Sequence, residues 1–166
     1  MRKFLIALSA VAALAACASR GEPTPTPTET TPPATDTAPR GPTPGSVEDF
    51  RVSVGDRVFF GYDRFDLTPE ARQVLERQAA WLRQYPNVRL LVAGNCDERG
   101  TREYNLALGA RRAAAARDYL VSLGIDGARI ETVSYGKERP LDARANEEAW
   151  SVNRNAHSQI VSGAVS

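Results

Sequence analysis

The chain has 166 residues, with 21 basic side chains, 20 acidic ones and one histidine, for a formal net charge of +1. That length allows one domain of ordinary size plus a tail, and it suffices to bury a hydrophobic core. A charge so close to balance supplies no broad basic field, which excludes nucleic acid as a partner.

Arg2 and Lys3 precede an apolar run from Phe4 to Ala16. At about a dozen residues the run is shorter than a bilayer span and has the form of a secretory signal. Residues 1–16 therefore read as a signal peptide. Its end, Leu14-Ala15-Ala16-Cys17, resembles a bacterial lipobox, where cleavage precedes the cysteine and the thiol receives a diacylglycerol. The plainer reading is an ordinary signal peptide beside a chance cysteine. Acyl chains contribute about 0.8 kcal/mol per buried methylene, so two or three chains on Cys17 give a lasting membrane anchor. Ala18 follows the cysteine, not Asp, which by resemblance to enterobacterial sorting rules favours the outer membrane.

Residues 17–46 are the lipidated cysteine and a linker of Pro, Thr, Ala and Gly with hardly any large apolar side chain. Such a composition cannot bury enough surface to offset its chain entropy, so a disordered tether is expected. Its roughly 28 residues reach about 30 Å as a coil and about 85 Å as extended polyproline II. A Thr-rich glycosylated stalk is the competing reading.

Folded structure is expected over residues 47–166. Phe50-Arg51-Val52-Ser53-Val54 and Arg57-Val58-Phe59-Phe60 flank Gly55-Asp56 and read as two strands around a tight turn. Tyr62 to Asp66 forms a loop. Thr68-Pro69-Glu70 then starts a helix, with Thr as cap, Pro at the first helical position and Glu complementing the dipole. Ala71, Val74, Leu75, Ala79 and Leu82 form its apolar stripe, and Pro86 stops it.

Val88 to Ala93 is a continuous apolar run suited to a buried strand. Gly100 turns the chain, Thr101 caps a long helix, and Gly124 closes that helix in a left-handed conformation. Ile130 to Tyr135 is a further strand, Glu147 to Trp150 a short helical turn, and Ala156 to Gly163 a last strand. Strands alternating with helices predict an α/β (α+β) sandwich, with helices packed on a small mixed β-sheet.

The chemistry concentrates between Gly94 and Arg112. Asp97 lies in the strand-to-helix loop, and Thr101, Asn105, Leu108 and Arg112 recur at three- and four-residue spacing along one helix face. That face begins beside a carboxylate and ends two turns later in a guanidinium, with an amide and an apolar side chain between them. The arrangement suits a small zwitterion carrying an amine and a carboxylate. Arg111 points about a quarter turn away, towards solvent or a salt bridge, and Arg99, Arg102 and Glu103 read as a solvated charged rim. Cys96 reads as a small hydrophobe at the strand end. His157 has no second His or Cys at ligand spacing, so no metal is expected. Trp81 and Trp150 read as core and capping residues.

These blocks carry a resemblance. Gly94-Asn95-Cys96-Asp97-Glu98-Arg99-Gly100-Thr101 through Asn105, Leu108, Arg112 and Ala113 resembles the signature of the OmpA-like peptidoglycan-binding domains, in the form of their lipid-anchored members. The resemblance covers about Phe50 to Val161 and continues in Phe60-Gly61-Tyr62-Asp63, in Ser134 to Pro140 and in Asn153-Arg154. It departs from the family at Asn95-Cys96, where His and a small residue are usual, and at Asn155, where a second Arg is usual.

The resemblance implies a non-catalytic module that binds peptidoglycan through the diaminopimelate of the stem peptide. Carried over by position, Asp97 takes the amine and Arg112 the carboxylate. Tyr62 and Asp63 offer backbone amides, Asn105 and Leu108 line the pocket, and Arg154 is a second carboxylate contact. No cofactor is implied. The implied partner is the β-propeller protein TolB, with TolA as a further candidate, on the periplasmic face of the outer membrane.

The competing class is a periplasmic cell-wall hydrolase using Asp97, Glu98 or Glu103 as a carboxylate pair. Against it, cations beside Asp97 favour its ionised form, and the chain offers no nucleophile–histidine pair. A porin or flagellar-stator anchor domain is disfavoured, since neither a barrel nor a spanning segment precedes the domain in this sequence.

Overall fold

The computed structural model describes residues 41–165; the signal peptide, Cys17 and the tether before Gly41 lie outside the described residues. Within them a mixed sheet has the strand order β1-β4-β2-β3. The strands are β1 (Arg57–Phe59), β2 (Arg89–Asn95), β3 (Ile130–Gly136) and β4 (Asn155–Ser162). β4 runs antiparallel to both β1 and β2, whereas β2 and β3 are parallel. Four helices accompany the sheet: α1 (Val47–Asp49), α2 (Pro69–Gln84), α3 (Arg102–Ser122) and α4 (Glu147–Asn153). The expected sandwich of helices on a small mixed sheet is therefore the fold of the chain.

Local chemistry fixes the long helices where the sequence places them. Thr68 Oγ1 accepts from Ala71 N at 3.2 Å, Pro69 occupies the first turn, and α2 buries Ala71, Leu75, Ala79 and Leu82. In α3, Thr101 caps the start, Gly124 follows the end at φ 91°, and Ala113, Ala116 and Leu120 are buried. The first half of α3 comes unusually close to the sheet. A Cβ on Gly94 would collide with the Gly109 carbonyl, and one on Gly109 would strike Ser134 Oγ. Two facing glycines thus set the distance between helix and strand.

The expected hairpin at residues 50–60 is not formed. Phe50–Val54 is a turn of π-helix that continues α1, and β1 pairs with the last strand, Val58 lying opposite Ala156. Ser46 Oγ caps α1 by accepting from Asp49 N, and Gly55 N donates to the Phe50 carbonyl at 3.0 Å. Phe50 and Val54, four residues apart, are both buried, whereas Val52 is 59% exposed. Alternation in the sequence suggested a strand, but helical spacing matched what the core could accept. Phe50 packs edge-on against Trp81 at 5.0 Å, and the Trp81 indole donates to Asp49 Oδ2 at 2.8 Å. Ordered contacts begin slightly before Val47: buried Gly45 donates to Asp49 Oδ2 and accepts from Val165 N.

Candidate functional site

β2 ends at Asn95 beside the Gly94–Gly109 contact, and Cys96 N donates to the Gly136 carbonyl at 2.8 Å. Gly100, at φ 89°, turns the chain into α3, and Thr101 Oγ1 accepts from Tyr104 N. The amide of Asn105 reaches back to the carbonyls of Arg99 and Thr101, at 2.8 and 3.0 Å. This amide therefore holds the shape of the loop that presents Asp97.

Arg112 is 1% exposed. Its Nε donates to the Arg64 carbonyl at 2.8 Å, Nη1 to Asn95 at 2.8 Å and Nη2 to Gly61 at 3.0 Å. A guanidinium has five N–H groups, so one remains on each Nη. Burial pushes its pKa down, yet a guanidinium stays cationic at neutral pH. The same side chain staples the 61–64 loop to the end of β2. Beyond that staple Asp63 holds a positive φ of 55°, and its carboxylate accepts from the Tyr104 hydroxyl.

Asp97 is also buried. Its Oδ1 accepts from Arg99 N and Nε, each at 3.1 Å, and its Oδ2 from Arg99 Nη2 at 2.6 Å and Arg154 Nη1 at 3.3 Å. Burial opposes ionisation, but the hydrogen bonds from Arg99 and Arg154 outweigh it and hold Asp97 below the usual carboxylate range. Arg154 reaches Asp97 from behind, fixed by the Phe60 carbonyl at 3.1 Å and Glu147 Oε1 at 2.7 Å.

These groups surround a cavity of about 190 Å³, walled among others by Tyr62, Asp63, Asp97, Asn105, Leu108 and Arg112. Six of the seven side chains singled out from the sequence thus meet around one space. Arg154 does not line it; its position beneath Asp97 suits orientation of that carboxylate better than direct contact with a ligand. Sequence reasoning missed Tyr104 and misplaced Arg99. Far from a solvated rim, Arg99 lies on the cavity wall, packed between the rings of Tyr62 and Trp150 at 4.1 and 4.2 Å. The Asp97-x-Arg99 spacing was visible, but the aromatic slot comes from residues 37 and 51 positions away and leaves no local signal. Arg102 and Glu103 are exposed as expected.

Outside the cavity, Cys96 is buried and burial pushes its thiol pKa up, which suits an inert packing role. His157 lies on β4 opposite Arg57 of β1, with its Nε2 3.0 Å from Asp56 Oδ2 and 3.3 Å from Arg57 Nη2. The two departures from the expected motif face each other: Asn95 Nδ2 donates to Asn155 Oδ1 at 3.0 Å.

Residues 59–154, which include every residue lining the cavity, match the family model described as the OmpA family. The chain is 50% identical over 155 residues to a peptidoglycan-associated lipoprotein of Mesorhizobium japonicum, covering 92% of this chain and 88% of that protein. The chain belongs to the OmpA family, among the peptidoglycan-associated lipoproteins.

A second relative of that name, from Rhizobium meliloti, is 57% identical over 114 residues, covering 69% of this chain and 65% of its own length. The crystal structure of the peptidoglycan-associated lipoprotein from Burkholderia pseudomallei superposes with a TM-score of 0.62 at 40% identity, covering 63% of this chain and 89% of that one. In this OmpA-family chain the cavity opens where β2 passes into α3. As a member of this group the chain is not an enzyme. Asp97 on the cavity wall is held ionised and has no proton to give as a general acid.

Proposed function

We propose that the cavity holds the side-chain terminus of diaminopimelate in the peptidoglycan stem peptide, and that the protein thereby fastens the outer membrane to the cell wall. The observation that carries this reading is the placement of an ionised Asp97 and a cationic Arg112 on the wall of one small cavity, with Leu108 also lining it. A zwitterionic terminus has one charge for each, and its methylene stem can lie against Leu108. The two Nη N–H groups left over on Arg112 fit a two-pronged carboxylate contact. The backbone around Tyr62 and Asp63 supplies further polar contacts at the rim. The names of the relatives support peptidoglycan as the polymer.

In this reading Cys17 carries the lipid, residues 18–46 span the gap to the wall, and the domain works on the periplasmic face within the Tol–Pal system, with TolB and TolA as partners, supporting envelope integrity and cell division. Calorimetry with a diaminopimelate-containing muropeptide tests the pocket. Asp97→Asn removes the charge at constant shape and weakens binding by about 2–4 kcal/mol, because the ligand's ammonium is left desolvated and unpaired. Unchanged affinity would refute the assignment. Fractionation tests the anchor: Cys17→Ser releases the protein from outer membranes stripped of peptidoglycan, and a mutant that stays in the pellet would sink that part of the reading.

A further inference from the structure

Asp97 has no vacancy for a ligand. An ionised carboxylate offers about four lone-pair sites, and four donors already fill them: Arg99 N and Nε on Oδ1, and Arg99 Nη2 and Arg154 Nη1 on Oδ2. Two of those donors cannot leave. Arg99 N belongs to the loop that Asn105 braces, and the Arg154 side chain, 8% exposed, is fixed by the Phe60 carbonyl and Glu147. The Arg99 side chain can. It is 29% exposed and lines the cavity itself.

We propose that the Arg99 guanidinium is a built-in occupant of the amine seat on Asp97, which an incoming ligand ammonium must displace. This rests on the reading above that Asp97 receives the ligand's amine. The surroundings give the displaced guanidinium a resting place close by. The rings of Tyr62 and Trp150 both pack against it, and Glu147 Oε2 lies 3.8 Å from Nη1 as a second, exposed carboxylate. Arg99 therefore exchanges one acid for another by a small movement within the same aromatic slot.

The exchange also sets selectivity. A lone amine gains from Asp97 only what Arg99 already enjoys, so it cannot displace a two-pronged guanidinium at a profit. A terminus that places a carboxylate on Arg112 at the same time gains a second charged contact, and that contact drives the displacement. Arg99 thus makes the pocket reject simple amines and accept zwitterions.

Calorimetry on the folded protein, checked by thermal melting, tests this with three probes: a diaminopimelate-containing muropeptide, the same compound with its side-chain amine acetylated, and cadaverine. Arg99→Ala is expected to bind the free-amine muropeptide about 3- to 10-fold more tightly, the effect of removing a partly exposed ion pair. The acetylated compound should show no gain, and the preference for muropeptide over cadaverine should narrow. Arg99→Lys, which keeps a cation but loses the fork, should show a smaller gain of the same pattern and serves if Arg99→Ala does not fold. Weaker or unchanged muropeptide binding, or an equal gain for the acetylated form, would overturn the proposal. Asp97→Asn separates the two layers. If it leaves muropeptide binding intact, the amine seat itself is wrong; if it abolishes binding while Arg99→Ala gives no gain, only the occupant role falls.

Discussion

Helices α2 and α3 are neighbours on one sheet, yet they bury different chemistry. α2 presents Ala71, Leu75, Ala79 and Leu82 to the core, and its one deeply buried polar side chain, Gln78, is bonded to the Gly55 carbonyl at 2.7 Å and Ser158 Oγ at 2.9 Å. The second half of α3 resembles it, with Ala113, Ala116 and Leu120. The first half of α3 buries Asn105, Gly109 and Arg112 around a single large apolar side chain, Leu108. A guanidinium there loses hydration that three backbone carbonyls must replace. Apart from Leu108, apolar packing is given up over two turns, and a charged cavity wall takes its place. Stability and ligand contact are thus divided between two helices, and substitutions should separate them.

The largest effect on folding should come from α2. Leu75 is fully buried, and Leu75→Ala is expected to lower stability by about 2–5 kcal/mol. Urea unfolding measures that, while calorimetry at low temperature should find the affinity of the folded molecules unchanged. A parallel loss of affinity would break the division between the helices.

Arg112 belongs to both sides of the comparison. The sequence marks it as a site residue, but its burial and three carbonyl partners make Arg112→Ala costly to folding as well. Arg112→Lys is the sharper probe. It keeps a charge and much of the volume but cannot grip a carboxylate with two prongs, and should weaken muropeptide binding by about 2–4 kcal/mol.

A smaller effect is expected at the cap of α3. Thr101→Ala removes the acceptor for Tyr104 N and should cost about 1 kcal/mol of stability. Since that turn carries the Asp97 loop, hydrogen exchange should report local opening at residues 101–105 before global unfolding.

Asp97 gives a pH signature. Its folded pKa is depressed, so its contribution to stability is fully present above the unfolded value of about 3.9 and is lost as pH falls through the lower folded value. The difference in melting temperature between the wild type and Asp97→Asn should hold steady from neutral pH to about 4 and shrink below it. A difference that faded near pH 6 would mean the carboxylate is not held by Arg99 and Arg154. The smallest effect belongs to Arg111, exposed and one residue from Arg112. Arg111→Ala should cost under about 1 kcal/mol of binding. A larger loss than at Arg112 would show that another helix face meets the ligand.

Much of this was legible along the chain because it depends on neighbours in sequence. The caps at Thr68 and Thr101, the stop after Gln84, the left-handed Gly124 and the shared face of Asn105, Leu108 and Arg112 all follow from local bonding and from a 3.6-residue period. The periodicity also announced that an acid and a base would meet on one surface. Where local patterns were short and ambiguous, the fold chose. Phe50–Val54 satisfied both alternation and helical spacing, and only the pocket beside Trp81 decided for a helical turn. Arg99 and Arg154 were beyond reach for the same reason. Which charge a guanidinium pairs with depends on groups brought together from Tyr62, Asp97, Glu147 and Trp150, and no property of the residues beside it in sequence encodes that meeting. The sequence by itself determined α2, α3 and α4, the four strands that do form and the charges at the site. The tertiary structure alone decided which of those charges are already spoken for, because pairing across long chain separations is settled only when the elements pack.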